Sequence, residues 1–396
     1  MTIQAAGASR LERPGRLAAF GTTVFAEMSA LAAATGAINL GQGFPDEDGP
    51  QAVLAAAAAA IGAGANQYPP GRGVPELLDA VAAHEERWWG SAVDPDCEIL
   101  VTAGATEGIA ATVLGLCEAG DEVVTFEPFY DSYAATIELA GAVRRVVALH
   151  PPDWSFDPAE LEAAITPATR LLLLNTPHNP TGHVFSTDEL ATVAAACIEH
   201  DLVAVTDEVY EHLVFDGDHQ LLGNMPGMRE RTLKISSAGK TFSATGWKIG
   251  WVLGPAHLVE AVKSVKQFLT YASGTPFQHA IAAGLGLDDA YFEAAAAALR
   301  ARRDRFCDGL KQLGWSVNRP QATYFATVDI RQFAEEDGWE FCRSLATSAG
   351  VAAVPAEVFF DDKTAGRPLI RFAFCKRFEV IDTALERLAK VKPVTG

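Results

Sequence analysis

The chain has 396 residues, 49% hydrophobic and 20% charged. This is enough apolar mass for two domains, or for one large α/β domain with a satellite, and it excludes a disordered chain. Asp and Glu total 50 against 31 Lys and Arg, a formal net charge of −19, so neither nucleic acid nor an anionic membrane is an expected partner, and anionic substrates are drawn only to local cationic pockets. The six cysteines (Cys97, Cys117, Cys197, Cys307, Cys342 and Cys375) are scattered, with no Cys-x-x-Cys pair and no His cluster at ligand spacing. Free thiols in a reducing compartment follow, and no metal site is expected. The amino terminus shows no cationic stretch followed by an apolar core, and no apolar run is long and charge-free enough to span a bilayer. The expected location is the cytoplasm.

In chain order, the alanine run 55–60 reads as helix, 98–102 as a strand, 106–117 as a helix and 122–126 as the next strand, with Gly120 at the turn between. Residues 171–175 form an unbroken apolar run. A helix over 187–200 follows, capped by Ser186 or Thr187, then apolar runs at 202–206, 232–235 and 249–253. Unbroken rather than alternating hydrophobicity means that both faces are covered, which predicts a mostly parallel, doubly wound α/β sheet with helices on each side. Such sheets bind ligands beyond the carboxyl ends of their strands, and every polar cluster named below falls at such an end. After about residue 285 the pattern changes to a long helix over 291–313, then strands at 324–329 and 369–374 within a smaller α+β domain. The expected division is an amino-terminal arm over 1–45 that joins the small domain, a large domain over 46–285 and the small domain over 286–396.

Six clusters carry the chemistry. Residues 236–248 set Lys240 among small and hydroxylated residues just after a strand, with Ser237 before it and Lys248 eight positions beyond. A flexible amine beside groups suited to an anion is what a carbonyl cofactor bearing a phosphate requires. The turn Asn175-Thr176-Pro177-His178-Asn179-Pro180-Thr181-Gly182 follows a strand, and its two prolines and glycine fix where the Asn179 amide points. Asp207 ends another strand, placed to pair with a protonated pyridine nitrogen or to cap a helix, with Tyr210 three positions on. Ala105 and Thr106 follow Gly104 at a helix start, where free N–H groups and the helix dipole favour phosphate. Tyr130, rather than the neighbouring Phe129, offers a plate for a flat ring. In the small domain Arg371 sits in the apolar strand 369–374. A buried guanidinium there needs an anion, supplied either by a ligand carboxylate or by a structural Asp or Glu.

Together and in this order, these segments resemble the class I/II aminotransferases of the fold-type I pyridoxal phosphate enzymes, over nearly the whole chain from residue 39 to Arg371. The resemblance implies pyridoxal 5'-phosphate as cofactor, joined covalently to Lys240, whose amine then serves as the general base. It implies that Asp207 pairs with the ring nitrogen, Asn179 and Tyr210 with the ring oxygen, and Ala105, Thr106, Ser237 and Lys248 with the phosphate. Tyr130 then stacks on the ring, Arg371 grips the substrate α-carboxylate and the backbone of Gly43 lies against the substrate. Tyr68 matches a tyrosine that reaches the phosphate from a neighbouring subunit, which implies a homodimer with shared active sites.

Two departures bear on specificity. Lys248 stands where many relatives carry arginine, keeping charge but losing a bidentate fork. The stretch 267–277 has no arginine, where dicarboxylate-specific members carry one, so an aspartate specialist is disfavoured. The segments around Phe44-Pro45-Asp46 and Tyr68-Pro69-Pro70 resemble the kynurenine/methionine/glutamine branch, and within it the actinobacterial N-succinyldiaminopimelate aminotransferases of lysine biosynthesis. On this reading the amino acceptor is 2-oxoglutarate, and Arg72 is a candidate to meet a distal carboxylate. A broad-specificity transaminase of that branch and a pyridoxal phosphate C–S β-lyase are the alternatives. A non-catalytic cofactor sensor would need an added DNA-binding region, which an acidic chain does not suggest.

Overall fold

A computed structural model describes residues 20–333 and 336–392; residues 1–19 of the expected amino-terminal arm lie outside the described residues. Among the described residues there are thirteen strands: β1 (Ile38–Asn39), β2 (Ile99–Thr102), β3 (Glu122–Glu127), β4 (Val143–Ala148), β5 (Thr169–Asn175), β6 (Val203–Asp207), β7 (Thr232–Ser237), β8 (Gly250–Leu253), β9 (Ser316–Val317), β10 (Phe325–Asp329), β11 (Val351–Ala352), β12 (Val354–Pro355) and β13 (Leu369–Ala373). The first four helices are α1 (Val24–Thr35), α2 (Gln51–Gly62), α3 (Pro75–Trp89) and α4 (Ala105–Leu116).

Seven strands form the main sheet in the order β2-β8-β7-β6-β5-β3-β4. The run from β7 to β4 is parallel throughout. The apolar runs explain this: Leu171 and Leu173 of β5 pack into one core, Leu172 and Leu174 into another on the opposite face, so this central strand is buried on both sides. The fold is α/β, as the apolar runs predict, with one refinement. Strand β8 runs antiparallel to both β7 and β2. Its first residue, Gly250, therefore pairs with Thr102 and Ser237, at the edge where those strands end.

Strand β4 is absent from the sequence reading because Arg144 and Arg145 interrupt its apolar pattern. It lies at the sheet edge, where Arg145 reaches Glu122 and Arg144 reaches Asp361. Of the two candidate caps near 187, Ser186 is the one used. Its hydroxyl accepts from the Glu189 N–H while Glu189 returns a bond to the Ser186 backbone, a reciprocal cap.

The carboxyl-terminal third builds a separate antiparallel sheet, ordered β12-β13-β10-β9. Residues near 40 are stitched to this part of the chain: β1 pairs with β11, and the Ala373 N–H donates to the Leu40 carbonyl at 2.6 Å. The segment from Leu40 to Gly43 therefore passes from β1 along the end of β13 toward the carboxyl edge of the main sheet.

Candidate active site

A cavity of about 320 Å³ lies at that edge, where β8 brings its start beside the ends of β2 and β7. All the residues expected from the sequence line it except Tyr68 and Arg72.

The first corner is cationic. Gly104, with φ +77°, turns the chain from β2 into α4, and Gly250 lies so close that an added Cβ would meet the Gly104 carbonyl carbon at 2.7 Å and the Ala105 nitrogen at 2.8 Å. This approach sets the first N–H groups of α4, at Ala105 and Thr106, beside Ser237 and Lys248. Lys248 has no carboxylate partner among the described residues. Glu107, the acid in the first turn of α4, is turned aside, accepting from the Ala103 N–H and the Thr270 hydroxyl, each at 2.6 Å. The result is a helix terminus, a hydroxyl and an ammonium with no neutralising acid: an anion site.

The second corner is acidic. Asp207 ends β6, 4% exposed, and accepts from the Tyr133 hydroxyl at 2.6 Å. Burial raises its carboxyl to about 6, against the bonds from Tyr133 and Val209 and the nearby Lys240 charge. Its backbone carbonyl accepts from Asn175, whose own side-chain oxygen accepts from the Asn179 N–H at 2.7 Å. The Pro/Gly turn is thereby tied to the end of β6, which fixes Asn179. The sequence reading missed Tyr133 and the role of Asn175. Tyr133 stands three positions after Tyr130 at a helix start, and that spacing was its signal.

Between the corners stands Lys240, its ammonium 5.7 Å from the Tyr210 ring centroid and 5.6 Å from that of Tyr324. Burial lowers its amine to about 8, with Arg371 and Lys248 acting the same way and Cys375 and Asp207 opposing. Tyr210 lies edge-on to Tyr324, ring centroids 5.4 Å apart, and the Tyr324 hydroxyl donates to the Gly43 carbonyl at 2.8 Å. Tyr130 lines the cavity, whereas Phe129 packs in the core under the Arg144 guanidinium.

Arg371 closes the far wall, 1% exposed. It donates to the Asn179 side-chain oxygen at 2.9 Å and the Gly41 carbonyl at 3.1 Å, and it lies over the Phe325 ring at 3.9 Å. The structural ion pair considered from sequence does not form among the described residues: both hydrogen-bond partners are neutral, and Nε has none. A buried charge left in this state suits an incoming carboxylate.

Two expected residues stand elsewhere. Tyr68 is 82% exposed, its ring edge-on to Tyr271 at 5.5 Å and outside the cavity. Arg72 is already committed, to the Cys97 and Ile99 carbonyls and to Glu260, so it does not face a substrate in this chain.

Comparison with known proteins decides the family. Residues 35–388 match the model of aminotransferase class I and II. The chain belongs to the class I and II aminotransferases. It is 51% identical over 386 residues (94% of this chain, 97% of the relative) to the Probable N-succinyldiaminopimelate aminotransferase DapC of Mycobacterium tuberculosis (strain H37Rv). It is 40% identical to the methionine aminotransferase of Escherichia coli (strain K12), over 95% of this chain and 97% of that one. Among solved structures, the N-succinyldiaminopimelate aminotransferase from Mycobacterium tuberculosis superimposes with a TM-score of 0.94 at 51% identity, covering 96% of this chain and all of that one. An aspartate aminotransferase from Thermus thermophilus gives 0.89 at 33%, covering 96% and 99%. Class I and II aminotransferases are pyridoxal phosphate enzymes, and this aminotransferase uses that cofactor. The donor set fits it: an uncompensated anion corner for a phosphate, a buried carboxylate for a cationic ring nitrogen and a lysine amine between them.

Proposed function

We propose that this aminotransferase moves the amino group of N-succinyl-LL-2,6-diaminopimelate to 2-oxoglutarate, a step of lysine biosynthesis. The observation that carries the reading is the 51% identity with the Mycobacterium tuberculosis protein along nearly the full length of both chains.

Pyridoxal phosphate supplies a carbonyl that takes up the amino group and a ring that withdraws electrons from the substrate α-carbon. In our assignment the N–H groups of Ala105 and Thr106, the Ser237 hydroxyl and Lys248 hold the phosphate. Asp207, kept in place by Tyr133, faces the ring nitrogen as an anion; Asn179 and Tyr210 donate to the ring oxygen; Tyr130 covers the ring. Lys240 is the covalent attachment point and, once displaced by the amino donor, the base. An amine near pKa 8 is about one-tenth unprotonated at pH 7, against less than about one in a thousand for an ordinary lysine, so the Lys240 Nζ would be able to accept the substrate α-proton and hold it for return. Arg371 binds the α-carboxylate and orients the C–H bond, with the Gly43 backbone against the substrate.

The same proposal includes a homodimer in the cytoplasm. Tyr68, Phe268, Leu269 and Tyr271 are all exposed in the single chain, Phe268 by 84%, and a second copy covering them would bring Tyr68 to the partner's phosphate corner. The six cysteines are all free, as a reducing compartment favours, and among the described residues no helix is long and apolar enough to cross a membrane. The separation of the seven-stranded sheet from the four-stranded one supports a large domain over 46–285 and a small one over 286–396, and the β1–β11 pair supports an arm over 1–45 that joins the small domain. A second reading, a broad-specificity transaminase of methionine, glutamine or kynurenine, is favoured by Phe25, Phe44 and Phe325 in the cavity wall. Single-turnover loss of the bound cofactor's visible band separates the two: we expect the rate constant per molar donor to be highest with N-succinyldiaminopimelate, and a higher value for methionine or kynurenine would overturn the substrate assignment.

A further inference from the structure

The ends of β6 and β7 have two faces, and the chemistry described so far uses one. Along β7 alternate residues point to opposite sides: Ser237 faces the cavity, while Lys234 and Ser236 face α3. After β6, Asp207 and Tyr210 line the cavity, while Glu208 and Glu211 go behind. There Glu211 accepts from the Ser236 hydroxyl at 2.6 Å and contacts the Lys234 ammonium at 2.6 Å, and Lys234 also donates to Glu85 of α3 at 2.7 and 2.9 Å. His84 and His212 touch through their Nε2 atoms at 2.7 Å, and His219 meets Glu208 at 2.7 Å. Glu85, Glu208, Glu211 and Lys234 are all at most 4% exposed.

Such a cluster is a poor way to gain stability, because desolvating several charges offsets most of their attraction and apolar residues would pack there at less cost. Its arrangement points elsewhere. Glu211 is covalently next to Tyr210, and the serine it grips is next to Ser237. Burial drives the Glu211 carboxyl up, but Lys234, His212 and His84 outweigh it and hold the group well below the ordinary range, while burial lifts Glu85 to about 7. Lys234 thus lies between two carboxylates, of which Glu211 is the one that also holds the serine.

We infer that Glu211 is a positioning residue for the cofactor: by gripping Ser236 and Lys234 behind the sheet, it sets Tyr210 and Ser237 in front of it. This rests on the assignment of Tyr210 and Ser237 to the ring oxygen and phosphate. The experiment measures the dissociation constant of pyridoxal phosphate, the pKa of the bound cofactor's visible band, and Tm, in the full chain. Ser236→Ala removes only the grip and leaves every charge in place, so it is the variant least prone to misfold; Glu211→Gln keeps the shape but removes the charge. Both are expected to weaken cofactor binding roughly five- to tenfold, as loss of one buried hydrogen bond implies, and to shift the band's pKa. Glu85→Gln, on the α3 side of Lys234, is expected to change Tm but neither cofactor readout. If Ser236→Ala and Glu211→Gln lower only Tm, or if Glu85→Gln alters cofactor binding as much as they do, the inference is overturned. Ser237→Ala and Tyr210→Phe keep the two failures apart: should these weaken binding while Ser236→Ala does not, the assignment stands and the inference alone falls.

Discussion

The front and back of the β6–β7 ends solve opposite electrostatic problems within one strand thickness. In front, Lys248 and Arg371 have no acid paired with them among the described residues, and Lys240 stands with its proton loosened. Behind, Lys234 is matched by two carboxylates, and the remaining groups are interlocked. The front is arranged to receive charge from outside and the back to satisfy its own, so loss of a front charge should show first in ligand and reaction variables and loss of the back's cation, Lys234, first in stability.

Lys240→Ala breaks the contrast most severely. It removes both attachment point and base, and general base catalysis alone accounts for roughly 10²–10⁴-fold; we expect turnover to fall at least that far, with Tm in the cofactor-bound state little changed, measured by steady-state kinetics and thermal melts. Lys234→Met does the reverse, leaving Glu85 and Glu211 buried without their cation; about 3–5 kcal/mol of stability should be lost, read from urea unfolding midpoints. Arg371→Gln should raise KM for the amino donor with a smaller effect on kcat, a loss of about 2–5 kcal/mol in kcat/KM; an unchanged KM would remove Arg371 from substrate binding. Gly43→Ala tests the tightness of the wall, since its Cβ would meet the Phe325 ring at 2.5 Å and Tyr324 at 2.9 Å. Overpacking of that kind costs about 1–3 kcal/mol, and we expect weaker substrate binding together with a lower Tm. Smallest is the pH effect. Because burial places the Lys240 amine near 8, the free base is lost as pH falls below that value, so kcat for the donor half-reaction should drop about tenfold per unit below pH 7 and level off above pH 9.

Much of this front was legible in the sequence because it is built from segments that each end an apolar run. The turn at Asn179, the carboxylate at Asp207 and the lysine at 240 follow β5, β6 and the start of the turn after β7, and an unbroken apolar run declares its own end. Residues that act from the middle of a helix or across the sheet were not legible. Glu85 meets Lys234 over 149 positions of chain, a distance no local pattern carries; Tyr133 reaches Asp207 over 74, and its spacing from Tyr130 marks its helix face but not that partner. Strand β4 was missed for a different reason: an edge strand tolerates charged side chains on its open side, so Arg144 and Arg145 erased the signal that central strands keep. Arg72 was misjudged because a glycine-flanked arginine looks free until the carbonyls of Cys97 and Ile99 are seen to occupy it.

Strand β8 has one further consequence. Lying between β2 and β7 in the opposite direction, it holds Gly250 where only a hydrogen atom separates it from the Gly104–Ala105 turn. A slip by a single residue would exchange its inward and outward side chains and drive Trp251 or Ile249 into that turn. The anion corner therefore cannot be adjusted by sliding the strand. Its affinity is set instead by the side chains and N–H groups that line it, at Ala105, Thr106, Ser237 and Lys248, while the pairing stays locked.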